Sequence, residues 1–405
     1  MKKTLGAVAA LGTAALLLSG CTADDSAEIR VWLVGADTST AAREYLAKTF
    51  ADENPGSTVV VEEQAWEGLL DKLTGALATD EGPDVVEFAS AQAAALTSAD
   101  LLLDLSDEYE ALGGDDLLPA FVEAGSRDGS FFAPPLYVHA RAVFADPALV
   151  AAAPATLDEY VTLAKTLAAA HPGLSGVSFA GHDWVDALPF IWESGGEVAV
   201  EGDGRWDAQL SSGASVAGLL HVQDLMLNAS LAPRDGADAE PWVPYCERQA
   251  VQVTGPDTAL APASACESAS PPSAPFVYAL PGGGGGAARV AAAGSNIGVS
   301  AQTSHADLAT KVVEIMLSEP FQAMYGEAGV VPAKVSLAAT LGDTPAATAF
   351  AAAARAAKLT PASPRWPEVE QSGILEDLFG RIAVGGDVAA LAIEADARIE
   401  AILNG

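Results

Sequence analysis

The sequence predicts an α/β protein of two lobes, on three observations. The chain has 405 residues, more than one hydrophobic core normally holds. Strand-like and helix-like segments alternate both before and after residues 131–146. That stretch reads FFAPPLYVHARAVFAD, and it is apolar and extended in character, as expected of a strand that crosses from one lobe to the other.

The first lobe is predicted from the alternation at the start of the chain. Strands are predicted over residues 28–34, 57–64 and 84–88, and helices over residues 39–52 and 66–79. This alternation is typical of a parallel sheet wrapped by helices. Because such sheets bind ligands beyond the carboxyl ends of their strands, the loops at 35–38 and 89–92 are candidate binding loops.

The crossing stretch carries Tyr137, His139 and Arg141 at two-residue intervals. Residues two apart in a strand point to the same side, so we expect these side chains to share a face. The later elements are predicted as strands at 176–180, 276–280 and 296–300 and helices near 156–170, 211–228, 305–317, 368–384 and 387–403. Residues 240–274 are rich in Pro, Ala and Ser, and no element is predicted there.

The N-terminus predicts export. Two lysines precede an apolar stretch at residues 5–18, which is too short to span a membrane comfortably. The stretch ends in LSGC, which resembles a bacterial lipoprotein signal whose cysteine becomes the lipidated first residue. We expect residues 1–21 to be a signal peptide with a lipid-modified Cys21 and residues 22–27 to be a tether. The alternative is a simple secretory signal with an incidental cysteine.

Cys246 and Cys266 remain once Cys21 is assigned to the lipid. Outside the cytosol two cysteines usually pair. A disulfide between them would close a loop of about 20 residues and stabilise the fold by roughly 3 kcal/mol. The alternatives are two free thiols or a metal pair, although no histidine lies within metal-motif spacing.

Composition and motifs exclude several functions. The net charge of −34 argues against binding nucleic acid and against lying along an anionic membrane surface. Neither G-x-S-x-G nor H-E-x-x-H occurs, and the five histidines are not spaced for a helical metal site. The glycine run at 282–286 lacks the Lys-Ser or Lys-Thr of a phosphate loop. We therefore expect no enzyme activity, no cofactor and no metal.

A series of motifs follows the leader in a fixed order. They are VWLVG, ENPGSTVVVEEQAWEGLLDKL, ALATDEGPDVVEF, APPLYVHARAVFAD, IWESGGEV, GDGRWDAQLSS, AAGSNIGVS, GVVPA and PRWPEVEQSGILEDLFGRIAVGGDV. Together they resemble the extracellular solute-binding proteins of carbohydrate ABC transporters, of the maltose-binding and chitobiose-binding lipoprotein type. The resemblance covers nearly the whole mature chain except residues 240–274.

The resemblance implies a periplasmic-binding-protein fold, with a mostly parallel sheet wrapped by helices in each lobe and a multi-strand hinge. It places residues 28–136 and 276–331 in the first lobe, and residues 137–275 and 332–405 in the second. A sugar held between the lobes would be delivered to an ABC permease. We expect a monomer outside the cytoplasm, bound to the outer face of the cell membrane only through lipid on Cys21.

The resemblance also implies which residues bind the ligand. They are Asp37, Trp66, Phe88, Ser90 and Gln92 in the first lobe, Tyr137 and His139 at the crossing, His182, Asp183 and Trp184 before a second-lobe helix, Ser295 and Asn296 in a small-residue loop, and Trp366 in a proline-rich turn. Aromatic rings suit the C–H face of a sugar, and polar groups suit its hydroxyls. Trp184 is the expected stacking residue, with core packing as the alternative, and Arg141 is expected to pair within the second lobe.

Two other functions stay open from the sequence. The same fold could bind a polar solute that is not a sugar. A secreted glycoside hydrolase is the other alternative, because acidic residues are plentiful, although no local motif selects two of them as a catalytic pair.

Overall fold

The computed structural model describes residues 27–237, 240–268 and 272–405. The expected signal peptide, the expected lipid site at Cys21 and all but the last residue of the expected tether lie outside these ranges. Among the described residues, no helix is both long enough and apolar enough to cross a bilayer.

The described elements alternate between strand and helix in the first part of the chain. The strands are β1 (Glu28–Val34), β2 (Thr58–Gln64), β3 (Val85–Ala89), β4 (Ser126–Arg127), β5 (Ser130–Phe131), β6 (Pro135–His139), β7 (Arg141–Ala145), β8 (Ala199–Gly202), β9 (Arg205–Ala208), β10 (Gln252–Pro256), β11 (Phe276–Tyr278), β12 (Ala293–Val299) and β13 (Val331–Pro332).

The α-helices are mostly short. They are α1 (Thr40–Glu53), α2 (Leu69–Leu77), α3 (Ala93–Ser98), α4 (Tyr109–Leu112), α5 (Pro119–Ala124), α6 (Leu157–Ala170), α7 (Trp184–Glu193), α8 (Gly213–Asn228), α9 (Val243–Cys246), α10 (Leu260–Ser264), α11 (Ala306–Met316), α12 (Glu319–Glu327), α13 (Pro345–Arg355), α14 (Trp366–Gln371), α15 (Ile374–Ala383) and α16 (Val388–Leu403). Short 3₁₀ helices cover Ser90–Gln92, Ser106–Glu108, Gly114–Asp116, Asp257–Ala259 and Val335–Leu341.

The first lobe is built on a six-stranded sheet in the order β13–β6–β12–β3–β1–β2. β1 runs parallel to β2 and β3, whereas β12 runs antiparallel to β3 and β6. α1 begins at Thr40 because the side chain of Ser39 accepts a hydrogen bond from the backbone N–H of Ala42. The predicted strand–helix alternation of this lobe is confirmed.

The two faces of this sheet differ because alternate residues of a strand point to opposite sides. On the front face, Tyr137 packs in one cluster with side chains of α1, α11 and α12. On the rear face, Phe88 packs with side chains of α2 and α3. Asn296 also points to the rear, where its amide donates to the backbone carbonyl of Phe121 in α5 at 3.0 Å.

The second lobe contains a three-stranded sheet in the order β10–β7–β11. Both outer strands are antiparallel to β7, which differs from the mostly parallel sheet expected there. The course of the chain explains the difference. β7 carries the chain away from the hinge, and β10 and β11 bring it back, with β11 leading to β12 in the first lobe.

Strand pairing shifts two of the expected lobe boundaries. β6, with Tyr137 and His139, pairs with β12 and β13 and therefore belongs to the first lobe. β11 pairs with β7 and therefore belongs to the second lobe. We place the first crossing at Ala140 rather than after residue 136, and the return crossing between β11 and β12 rather than before residue 276.

Cys246 and Cys266 form a disulfide, with their Cα atoms 5.2 Å apart, as the cysteine count predicted. The bond joins α9 to the residues just after α10. It therefore encloses β10, the following 3₁₀ helix and α10 in a covalent loop.

Candidate functional site

The hinge carries a histidine between two carboxylates, one from each lobe. Nδ1 of His139 lies 2.8 Å from Oδ1 of Asp257, and Nε2 lies 3.5 Å from Oδ1 of Asp37. Asp37 follows β1 in the first lobe, whereas Asp257 follows β10 in the second. The backbone N–H of Asp257 donates to the carbonyl of Ala140 at 3.1 Å, which holds that turn against the crossing strand. We call Asp37, His139 and Asp257 the hinge trio.

The loop that bears Asp37 is fixed by an arginine from α1. Nε of Arg43 donates to the carbonyl of Thr38 at 2.8 Å, and its terminal NH₂ donates to the carbonyl of Gly35. Gly35 has a φ of +59°, a conformation that glycine adopts without steric cost. The chain therefore turns sharply after β1 and presents Asp37 to the hinge.

The protonation states of the three residues in the hinge trio depend on one another. Burial lowers the pKa of His139, but the hydrogen bonds and charges of Asp257 and Asp37 outweigh this and raise the pKa to about 10. The hydrogen bond from His139 lowers the pKa of Asp37. Burial raises the pKa of Asp257, and His139 only partly offsets it. We assign an imidazolium between two carboxylates near neutral pH, which leaves one net negative charge.

A buried layer on the front face supports the hinge trio. The hydroxyl of Tyr137 donates to Oε1 of Glu87 at 2.8 Å and lies 3.2 Å from Oδ2 of Asp37. Ser295 donates to the same oxygen of Glu87 at 2.7 Å, and the N–H of Val34 donates to its Oε2 at 2.8 Å. Burial raises the pKa of Glu87 despite these donors. Tyr137 and Ser295 are therefore buried next to the hinge trio, where Tyr137 contacts Asp37 and both hydroxyls donate to Glu87.

In the second lobe, polar side chains are gathered around the start of α7. The indole N–H of Trp184 donates to Oε1 of Glu376 at 3.2 Å. Nε of Arg141 pairs with Asp186 at 2.7 Å, as expected for a structural charge within this lobe. Arg141, Asp183 and Asp186 also line one small cavity of about 20 Å³.

The structure divides the predicted site residues into two groups. Asp37, Trp66, Gln92, His139, His182, Asp183 and Trp184 keep part of their surface exposed. Phe88, Ser90, Tyr137, Ser295, Asn296 and Trp366 are at most 4% exposed. Trp366, expected to close the cleft, instead packs in the second-lobe core and donates to Glu370 at 2.7 Å. Phe88 and Asn296 point to the rear face, where packing and carbonyl contacts occupy them.

Three acidic residues of this region were missed by the sequence prediction: Glu87, Asp257 and Glu376. Glu87 lies inside a predicted strand, and the sequence gave no indication that its side chain faces the hinge. The signal for Asp257 was the segment Val-Gln-Val-Thr at 251–254, in which three of the four residues are β-branched, followed by Gly255 and Pro256, a pattern typical of a strand followed by a turn. Glu376 lies on a helix, and its approach to Trp184 is a tertiary contact that no local pattern encodes.

A larger cavity of about 680 Å³ lies between the lobes on the rear face. Residues of both lobes line it: Ser90, Ala91, Ala94, Pro119, Ala120, Glu123, Ala124, Trp192, Glu197, Val198, Ala199, Val200, Glu201, Trp206, Arg289, Ala357, Lys358, Leu359, Thr360, Pro361 and Ala362. No member of the hinge trio lines it, and Ser90 alone of the predicted site residues does. Lys358 and Glu197 form an ion pair within it at 2.5 Å. We call it the rear cavity.

Two α/β lobes with polar groups gathered at their hinge are typical of proteins that bind a small molecule between two lobes. The chain belongs to the family described as bacterial extracellular solute-binding protein, whose profile matches residues 35–323.

Known relatives agree with this assignment. The diacetylchitobiose binding protein DasA of Streptomyces coelicolor is 28% identical over 395 residues, which is 91% of each chain. The sugar-binding protein MalE from Xanthomonas citri superposes with a TM-score of 0.82 at 18% identity, over 93% of this chain and 97% of that one. The extracellular solute-binding protein from Staphylococcus aureus, solved with maltose, has a TM-score of 0.80 at 17% identity, over 93% and 99%. The predicted two-lobed fold is confirmed.

Proposed function

We propose that this protein is a lipid-anchored extracytoplasmic receptor that binds a sugar between its lobes and delivers it to an ABC permease. Family membership supports the receptor role. One relative is a diacetylchitobiose binding protein and a similar structure was solved with maltose, which supports a sugar as the ligand. The leader that ends in Cys21 supports export and anchoring.

The hinge trio is the observation that carries this proposal. Its central histidine contacts a first-lobe carboxylate and a second-lobe carboxylate, so moving the lobes apart must lengthen at least one contact. A ligand that contacts both lobes near the trio would bind the closed form of the protein more tightly than the open form. This difference in affinity would shift the equilibrium toward the closed form. Closure would present the loaded form to the permease.

We propose that the ligand occupies a front cleft around the hinge trio. The first-lobe wall is formed by Asp37, Trp66, Gln92 and His139, and the second-lobe wall by His182, Asp183, Trp184, Asp257 and Glu376. Trp66 is 42% exposed, which is unusual for a tryptophan, and it lies beside the turn at Gly35. Exposed indole rings suit the C–H face of a pyranose, and the carboxylates accept hydrogen bonds from its hydroxyls.

Trp184→Ala tests the position of the site. Isothermal titration of the purified protein with maltose, trehalose, cellobiose and diacetylchitobiose should first identify a ligand. We expect the substitution to weaken binding of that ligand by roughly 1–3 kcal/mol, because a stacking ring is lost. Trp206→Ala is the matched control, since Trp206 is also a second-lobe tryptophan but lines the rear cavity.

The two variants and the set of ligands titrated separate three outcomes. Loss of affinity in Trp184→Ala alone supports the front cleft. Loss in Trp206→Ala alone would move the ligand to the rear cavity. Heat from a polyol or another polar solute, with none from any sugar, would contradict the sugar proposal and favour the same fold with a different ligand.

A further inference from the structure

Asp257 has a carboxylate oxygen that no group in the described part of the chain satisfies. Its Oδ1 contacts Nδ1 of His139 at 2.8 Å and accepts the backbone N–H of Thr258 at 2.9 Å. Its Oδ2 is buried without a hydrogen-bond partner, in a residue that is 7% exposed. A buried carboxylate oxygen without a donor is unfavourable. The position therefore favours a ligand group that donates a hydrogen bond.

Glu376 shows the same pattern on the second-lobe wall. Its Oε1 accepts the indole N–H of Trp184, whereas its Oε2 is buried without a partner among the described residues. Both unsatisfied atoms are carboxylate oxygens, which accept hydrogen bonds and attract positive charge. Each of these two buried oxygens therefore favours a hydrogen-bond donor, and a positively charged donor most strongly.

Three cationic side chains around the hinge, those of Arg141, Arg43 and His139, have anionic partners. Arg141 pairs with Asp186 at 2.7 Å. Arg43 pairs with Glu63 at 2.7 Å. His139 lies between the two carboxylates of the hinge trio, which together exceed its charge. A ligand carboxylate or phosphate would meet net negative charge here, whereas a ligand ammonium would neutralise it.

We infer that the front cleft selects a sugar with a free amino group, in its protonated form, over the neutral sugar of the same shape. This inference rests on the proposed function, because it names the class of sugar for that site. The ammonium supplies both the hydrogen-bond donors and the charge that the unsatisfied carboxylate oxygens of Asp257 and Glu376 lack. Hydroxyl groups supply donors without the positive charge, and the carboxylate of an acidic sugar supplies neither a donor nor a positive charge.

A matched set of disaccharides tests the inference. The β-1,4-linked dimers of glucosamine, glucose and N-acetylglucosamine share one skeleton and differ in the group on carbon 2. Titration at about pH 6 keeps the amine protonated, and titration at about pH 9 leaves it largely neutral while His139, with its raised pKa, keeps its charge. We expect the glucosamine dimer to bind at least about tenfold more tightly than the glucose dimer at the lower pH, and the preference to vanish at the higher pH.

Variants show which carboxylates cause the preference. Glu376→Gln keeps an acceptor for Trp184, and Asp257→Asn keeps one for Thr258; each should reduce the preference for the amino sugar. Asp343→Asn, which removes an exposed surface charge, should leave it unchanged. The wild-type comparison at two pH values stands even if a variant fails to fold.

The outcomes distinguish this inference from the proposed function. Equal or tighter binding of the neutral dimers at the lower pH would overturn the preference for an amino sugar and leave a sugar receptor. Failure of every sugar in this set and in the broader panel would overturn both.

Discussion

The environment of His139 determines its charge, and this gives the folded protein a specific dependence on pH. Its pKa is raised to about 10 in the folded state, from an ordinary value of 6.5. A raised histidine pKa stabilises the fold fully below the unfolded-state value. That stabilisation is lost as the pH rises through the folded-state value, so stability should fall between about pH 6.5 and pH 10.

Urea unfolding across this pH range tests the role of His139. We expect the free energy of unfolding of the wild type to fall by up to roughly 5 kcal/mol and that of His139→Gln to change much less. His171→Gln, at the end of α6 and away from the hinge, should retain the wild-type dependence. The same fall in His139→Gln as in the wild type would show that another group causes it.

The sequence placed Tyr137 and His139 together correctly but could not show what they contact. Two-residue spacing within β6 puts both beside Asp37, as strand geometry requires. Their other partners, Glu87 and Asp257, lie 50 and 118 residues away along the chain. Contacts at that separation depend on tertiary packing, and a local pattern cannot specify them.

The disulfide stabilises the least regular part of the second lobe. The loop between Cys246 and Cys266 spans 20 residues and contains only short elements, including β10. We expect replacing both cysteines with serine to lower the free energy of unfolding by roughly 3 kcal/mol, because the unfolded chain regains the entropy that the cross-link removed.

Chemical unfolding with and without a reductant measures this effect. Reductant should destabilise the wild type and leave the stability of the double variant unchanged. The double variant therefore controls for effects of the reductant other than breaking this disulfide. A decrease in the free energy of unfolding of less than about 1 kcal/mol would contradict this expectation, because it would show that the disulfide restricts the unfolded chain only slightly.

At the level of elements, the sequence predicted the first lobe better than the second. β1, β2 and β3 have five to seven residues, and the helices α1 and α2 separate them, so their sequence patterns are long enough to recognise. Within residues 240–274, where no element was predicted, α9, β10 and α10 have only four or five residues and include prolines. Pairing with β7 defines β10, and that pairing is not visible locally.

For the whole molecule, the sequence predicted two lobes but not the arrangement of spaces between them. The hinge trio lies with the front-face layer of the first-lobe sheet, and the rear cavity lies on the other side. Rotation about the hinge strands that closes a cleft on one side should therefore widen the space on the other. Composition and periodicity carry no information about this geometry, because it depends on how the two cores pack at the crossings.

A crystal structure of the protein with a disaccharide that it binds would test the central claim most directly. We predict electron density for the sugar in the front cleft, with one ring against Trp184 and a donor group within hydrogen-bonding distance of Oδ2 of Asp257. Density against Trp206 in the rear cavity, with the front cleft empty, would contradict the account.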